Sequence, residues 1–395
     1  MSETGEEKNK KSKFNLGNIL LVSFAHLLHD IFGAFLAPVL PLLIDKHQLS
    51  LTLSSTLQIA QRLPSVLNPF IGILADRKSL RYFIIISPSL TAVCMSLLGI
   101  APGYTFLLLL LLTVGLSAAF FHTPAPVLIK KVSGERTGTG MSFYMLGGEL
   151  ARTLGPLTIL GAISLWGFEG TFRLIPFAVI ISLVLLLRFR KISIYKNQPF
   201  TGKNESIKFV LKKHLKLFST IAGFLFFHSM MKMSITFFLP TYMSQRGESL
   251  LYGGVALSVF QLAGAFGTFI SGVISDRIGR KPVLLIAAIM APATMWAFIF
   301  FNGPVFDMLL LILMGIFVFS VTPALLAIVN EKGSGRPAFM NGVFMTISFA
   351  VGSVAVFLVG QTGDLAGLQT AYKVMAGVSA GAVPFILMMP VGKTT

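Results

Sequence analysis

The chain has 395 residues, of which 54% are hydrophobic and only 12% charged, with a mean hydropathy of +0.80. Those figures exclude a soluble globular enzyme and fit a chain that lives in lipid. A formal charge of +17 would point to nucleic acid in a soluble domain, but here the basic residues cluster in particular loops between apolar runs.

Residues 1–16 form a polar tail, and nothing in them runs from an apolar core into a small-residue cleavage site, so no removable signal peptide is expected. Apolar runs of about 20 residues follow, long enough to cross a hydrocarbon core of about 30 Å. Six are expected near 17–43, 51–74, 82–101, 105–129, 138–164 and 171–189, forming a bundle over 17–189. Residues 190–215, rich in Lys, Asn and Ser, read as a basic linker whose Ile207–Leu217 part suits an amphipathic helix on the lipid surface. Six more spans, near 216–243, 250–274, 282–301, 305–329, 338–361 and 368–390, form a second bundle over 216–391. The fold class expected is therefore an all-α membrane protein of twelve transmembrane helices in two six-helix bundles.

Lys and Arg fall in alternate loops. The tail, Lys130-Lys131, Arg136 and the segment from Arg188 to Lys216 are rich in them, whereas the opposite set holds little beyond Lys46, Arg173, Arg246 and Lys373. The excess marks the cytoplasmic side, so both termini are expected there, in the inner membrane of a cell, with anionic lipid as a partner and no nucleic acid. The single cysteine, Cys94, lies in an apolar run and excludes an intrachain disulfide. Prolines gather in the spans: Pro38 and Pro41, Pro64 and Pro69, Pro124 and Pro126, Pro156, Pro240 and Pro323. They suit helices that bend. The fifth span carries Gly147, Gly148 and Gly155, which allow close approach of a neighbour, for sliding or simply for tight packing.

A short charged turn occurs twice. Gly272-Val273-Ile274-Ser275-Asp276-Arg277-Ile278-Gly279-Arg280-Lys281 repeats Gly72-Ile73-Leu74-Ala75-Asp76-Arg77-Lys78-Ser79-Leu80-Arg81 at an offset of 200, and the same offset pairs Gln61 with Gln261 and Met145 with Met345. Such a register marks a duplicated unit, as in transporters built from repeats. The turn resembles the signature loop of the major facilitator superfamily, which joins the second and third helices of each half. By that resemblance Asp76 and Asp276 latch conformations at a helix junction. The first, fourth, seventh and tenth helices would line a central cavity, bringing Thr322 of the tenth to it.

Ionisable residues inside spans are costly, by about 2.5–3.5 kcal/mol on insertion scales, and mark function by default. Here they are His26, His29 and Asp30 in the first span, Arg62 in the second, His122 in the fourth, Glu149 and Arg152 in the fifth, and His228 and Lys232 in the seventh. Spacings of three or four put His26 with Asp30, Glu149 with Arg152 and His228 with Lys232 on shared faces. The three cations outnumber the two carboxylates, so the layer favours an anionic or amphiphilic small molecule, and its histidines and acids suit coupling to protons. Two plainer readings stand beside this one: Glu149–Arg152 as a structural pair, and His26 and His228 as packing histidines bonded to carbonyls.

Ala25-His26-Leu27-Leu28-His29-Asp30, Phe120-Phe121-His122, and Gly147-Gly148 with Leu154-Gly155-Pro156-Leu157 are similar to the fosmidomycin-resistance branch of drug exporters. That branch has Asn in place of His29 and lacks the Glu149–Arg152 pair. The resemblance implies a proton-coupled efflux antiporter acting as a monomer. The rival readings are uptake of an organic anion and divalent-metal transport through the histidines, the latter opposed by Arg62, Arg152 and Lys232. No nucleotide loop is present, since Gly392-Lys393-Thr394-Thr395 lacks the upstream glycine, and no hydrolase motif occurs. No enzyme activity, cofactor or resident metal is expected.

Overall fold

The computed structural model describes residues 14–190, 206–331 and 337–390, apart from 69, 72–73, 75–79 and 302. In lipid a backbone must satisfy its own polar groups, and every regular element among the described residues is helical. Helices α1 (Leu16–Gly33) and α2 (Leu36–His47) make the first span. Helix α3 (Leu51–Arg62), continued by a 3-10 turn over Leu63–Leu67, begins the second. The third is α4 (Arg81–Ser96), and the fourth is α5 (Tyr104–His122) with α6 (Ala125–Ser133). The first half closes with α7 (Thr137–Trp166) and α8 (Ile175–Phe189).

A seven-residue helix, α9 (Ile207–Lys213), leads into the second half. It is shorter than the amphipathic stretch expected, and its Val210 is buried against the C-terminal bundle. Then come α10 (Leu215–Gln245), α11 (Leu250–Ile278) and α12 (Arg280–Phe300). The tenth span is α13 (Pro304–Phe319) with α14 (Val321–Glu331), the eleventh α15 (Pro337–Ala366), and the twelfth α16 (Leu368–Ser379) with α17 (Ala382–Met388).

Ten of these spans are long and apolar enough to cross a membrane. Of the other two, the second is described only in part, and the fifth is α7. Helix α7 has 30 residues, about 45 Å at 1.5 Å per residue, and its shortfall is polarity rather than length. The fifth span, short of that mark by its polar residues, is the one that carries the Glu149–Arg152 pair. Large apolar side chains such as Phe269, Leu165 and Val305 stand exposed around the outside, the face that lipid covers.

The breaks fall beside prolines but not at all of them. The first span divides at Ala34-Phe35, the fourth at Thr123-Pro124 and the tenth at Ser320. Gly33's carbonyl, beside the first break, accepts a 2.8 Å bond from the Gln61 amide. Helices α7 and α10 run unbroken through Pro156 and Pro240. Pro240 packs against Gly253 of α11, where a Cβ would come within 3.1 Å of the proline Cα.

The two halves meet at the end whose loops are poor in Lys and Arg. There α2 packs on α10, Leu160 of α7 on Gly254 of α11, and the start of α3 on the end of α15. Asp364 of α15 accepts the Leu51 and Thr52 amides at 2.7 and 2.9 Å, so a carboxylate from one half caps the first turn of a helix in the other. Ser50 supplies the next cap bond, to Leu53, at 3.1 Å. Ser55 bridges to the Val356 carbonyl at 2.8 Å. Gly360 permits this approach, since a Cβ there would overlap Ser55 and lie 2.6 Å from the Leu51 carbonyl.

Candidate functional site

Between the halves lies a cavity of about 650 Å³. Its walls run from Leu36 and Leu257 near the closed end down to Asn68, Pro126 and Met345, toward the end with the basic loops. That volume fits a drug-sized molecule.

Eight of the nine ionisable residues singled out in the spans line it: His26, His29, Asp30, Arg62, His122, Glu149, Arg152 and Lys232. His228 does not. Its ring is buried, stacked 5.5 Å from Phe224, with Nε2 3.0 Å from the Val318 carbonyl, so the packing-histidine reading describes it. An i,i+4 spacing from Lys232 gave it a shared face, but a helix enclosed by its own bundle buries part of that face in protein. Thr322 also lies outside the lining.

Asp30 is the hub. Its Oδ1 stands 2.9 Å from His29 Nδ1 and 3.1 Å from His122 Nε2, and its Oδ2 is 3.1 Å from His26 Nε2. The rings are held from behind. His26 Nδ1 lies 2.7 Å from the Tyr144 carbonyl and its ring stacks on that tyrosine at 4.0 Å, while His29 stacks on Phe121 at 4.6 Å. Gly148 makes room for the cluster, since a Cβ there would come 2.7 Å from the His26 ring. Gly147 and Gly155 seat α7 against the α1 backbone in the same way. The glycines of the fifth span thus bring α7 onto α1, within one half.

Cations complete the lining. Arg152 pairs with Glu149 on α7. Among the described residues no carboxylate lies within 4 Å of Arg62 or Lys232. The Arg62 guanidinium reaches across to Met233 Sδ at 3.7 Å, and the Lys232 ammonium sits 4.8 Å over the Phe319 ring. Three cations against two carboxylates in a site of low dielectric attract an anion. Atoms of His26, Asp30 and His122 also lie within 4.8 Å of one another, a spacing a metal ion could use, but the same cations oppose a dication.

Of the duplicated turns, Gly72, Asp76 and Arg77 lie outside the described residues. In the second copy, Gly279 adopts φ +94°, which favours glycine and lets α11 turn into α12. Arg280 bonds Asp276 at 2.6 Å and Glu331 at 3.0 Å, and Lys281 caps the Leu387 carbonyl at 3.2 Å. Asp276 is therefore tied into its own bundle in this conformation. Arg81 opens α4 with its guanidinium 4.9 Å over the Tyr82 ring, and Gly272 and Arg277 lie in the last turns of α11.

The cavity wall holds further residues not proposed from sequence, among them Tyr144, Gln58 and Phe349. The repeat did carry a signal for some of them. Gln61 and Gln261, and Met145 and Met345, matched at the 200-residue offset, all face the cavity. Thr91 and Ser117 had no such signal, being ordinary polar residues in apolar runs, and Asp364 falls beyond the expected end of the eleventh span.

Comparison with known proteins agrees with this architecture. The chain is 26% identical over 378 residues to the fosmidomycin resistance protein of Escherichia coli (strain K12), covering 93% of this chain and 91% of that one. It is 24% identical over 362 residues to the multidrug resistance protein MdtG of Klebsiella pneumoniae (strain 342), covering 86% and 85%. Among solved structures, the nucleoside transporter NupG superposes with a TM-score of 0.75 at 16% identity, over 94% of this chain and 99% of that one. A bacterial homologue of the human lysosomal transporter Spinster, inward-facing and unoccupied, gives 0.73 at 15%, over 94% of both. Residues 22–356 match the Major Facilitator Superfamily, and the chain belongs to that family of membrane transporters.

Proposed function

We propose that the protein exports a small anionic or amphiphilic compound by alternating access, driven by protons moving the other way. The observation that carries this reading is the cavity between the halves, which Arg62, Arg152 and Lys232 line together with the Asp30–histidine cluster. The cations would hold the anion and the Asp30–histidine cluster the proton, and exchange requires that the two be carried in opposite halves of the cycle. The drug-resistance relatives support the outward direction. The lysine and arginine distribution supports placement in the inner membrane with both termini cytoplasmic, and no partner beyond substrate, protons and lipid is needed by a monomer. In this reading the bundles 17–189 and 216–391 rock about the cavity.

The test is a screen of a deletion strain against charged small molecules, followed by transport in everted and right-side-out vesicles. Asp30→Asn, Arg62→Ala and Glu149→Gln are each expected to abolish transport while inserting normally into the membrane. Wild-type rates in all three would remove the site, and accumulation without exchange would favour uptake of an organic anion.

A further inference from the structure

Two buried hydroxyls and a backbone carbonyl fix where the protons of the cluster sit. The Ser117 hydroxyl is 3.0 Å from the Ser87 carbonyl, Thr91 is 2.8 Å from Ser117, and Thr91 is 3.1 Å from His29 Nε2. A carbonyl only accepts, so the single proton of Ser117 goes to Ser87. Ser117 must then accept from Thr91, which leaves Thr91 only a lone pair for His29. The proton of a neutral His29 is therefore on Nε2, and Nδ1 faces Asp30 bare.

The same reasoning holds for His26. Its Nδ1 can only donate to the Tyr144 carbonyl, so Nε2 of the neutral ring faces Asp30 Oδ2 bare. Two ring lone pairs thus point at two carboxylate oxygens at 2.9 and 3.1 Å. Neither contact is a hydrogen bond unless a proton lies in it, placed on Asp30 or on the ring. His122 differs, because its Nε2–H can donate to Oδ1 as a neutral ring. Tyr144 and the Glu149–Arg152 pair from α7 stand beside the cluster, and Arg62 from α3 and Lys232 from α10 line the same cavity. One proton, held between Asp30 and a ring, leaves the cluster neutral, and these cations disfavour a second that would leave it positive.

The geometry points to Asp30, His29 and His26 as the proton-carrying unit of the transport cycle, present here in its protonated form. Thr91 and Ser117 are its positioning residues, holding His29 Nδ1 open to the coupled proton. The inference rests on the proton-coupled reading above and names the groups that carry the proton. Loss of the proton to cavity water leaves lone pairs opposed to a carboxylate, and that repulsion is relieved only if α1 and its neighbours move.

The test reads protonation directly. Infrared difference spectra of the purified, substrate-free full chain, taken across a pH titration, should show a carboxylic-acid band that Asp30→Asn removes. Thr91→Val breaks the chain and lets neutral His29 turn its proton toward an ionised Asp30. Proton affinity should then fall about tenfold, moving the midpoint down by about one pH unit, and Thr91→Ser should restore it. Ser117→Ala, which touches neither His29 nor Asp30, should move the midpoint the same way by freeing the Thr91 proton for Nε2. An unmoved midpoint in both variants would overturn the assignment. So would a divalent metal retained at one per chain in the wild type and lost in Asp30→Asn. A shifted midpoint without proton-driven transport would support the proton site and overturn the coupling reading instead.

Discussion

A single side chain in this cavity is defined less by its own chemistry than by what its back is fastened to. His26 and His228 are both buried histidines bonded to carbonyls, yet the second nitrogen of one meets Asp30 while His228 lies outside the cavity lining. Replacing His228 with Gln, which keeps a donor for the Val318 carbonyl, should leave transport near wild type, whereas His26→Gln should lose it, as a vesicle flux assay will show. Gly148 is the complementary case. A valine there would drive methyls into the His26 ring, and overpacking of this kind costs about 1–3 kcal/mol. Gly148→Val should therefore cut transport at least tenfold, with milder loss for Gly148→Ala.

Helices explain why the breaks and caps lie where they do. Proline marks where a ladder can open, and at the first break the Gln61 amide supplies a bond to the nearby Gly33 carbonyl. Where Gly253 packs against Pro240 the helix stays whole. The cap that Asp364 places on α3 works across the two halves, so it exists only while the charge-poor end is closed. Its duplicated position, 200 residues earlier, is Ser164, which bonds its own helix at Gly161, so the two inter-half seams are not equivalent. Asp364→Asn keeps the shape and removes the charge, a loss of about 1 kcal/mol at this partly exposed site. That should move the population about fivefold away from the closed form, read as faster labelling of cysteines placed near residue 51.

At the scale of the molecule, the halves form a wedge joined at the charge-poor end, with a cationic hollow reaching toward the basic loops. A cysteine at Met145, whose side chain is 52% exposed and lines the cavity, should react with an impermeant maleimide supplied from the basic-loop side. Reaction from the other side should be at least tenfold slower. Equal rates would mean that the seams at α3–α15 and α7–α11 do not seal the far end. Native Cys94 is buried in the core, so it should remain unmodified in the folded protein and need no removal before this experiment.

Hydropathy, loop charge and a 200-residue register were enough to read the helical class, the two-fold repeat and the family, because a bilayer imposes length and polarity on each span separately. The cost of burying charge in lipid also made Asp30, Arg62 and the other intramembrane charges visible from composition alone. What a one-dimensional pattern could not carry was partnership. Whether a histidine faces a cavity or a carbonyl, which acid caps a helix of the other half, and which hydroxyls set a proton's position all depend on contacts between residues 26 to more than 300 positions apart. Only the packed bundles bring those atoms within 3 Å or so of one another, because hydrogen bonds form and fail over tenths of an ångström.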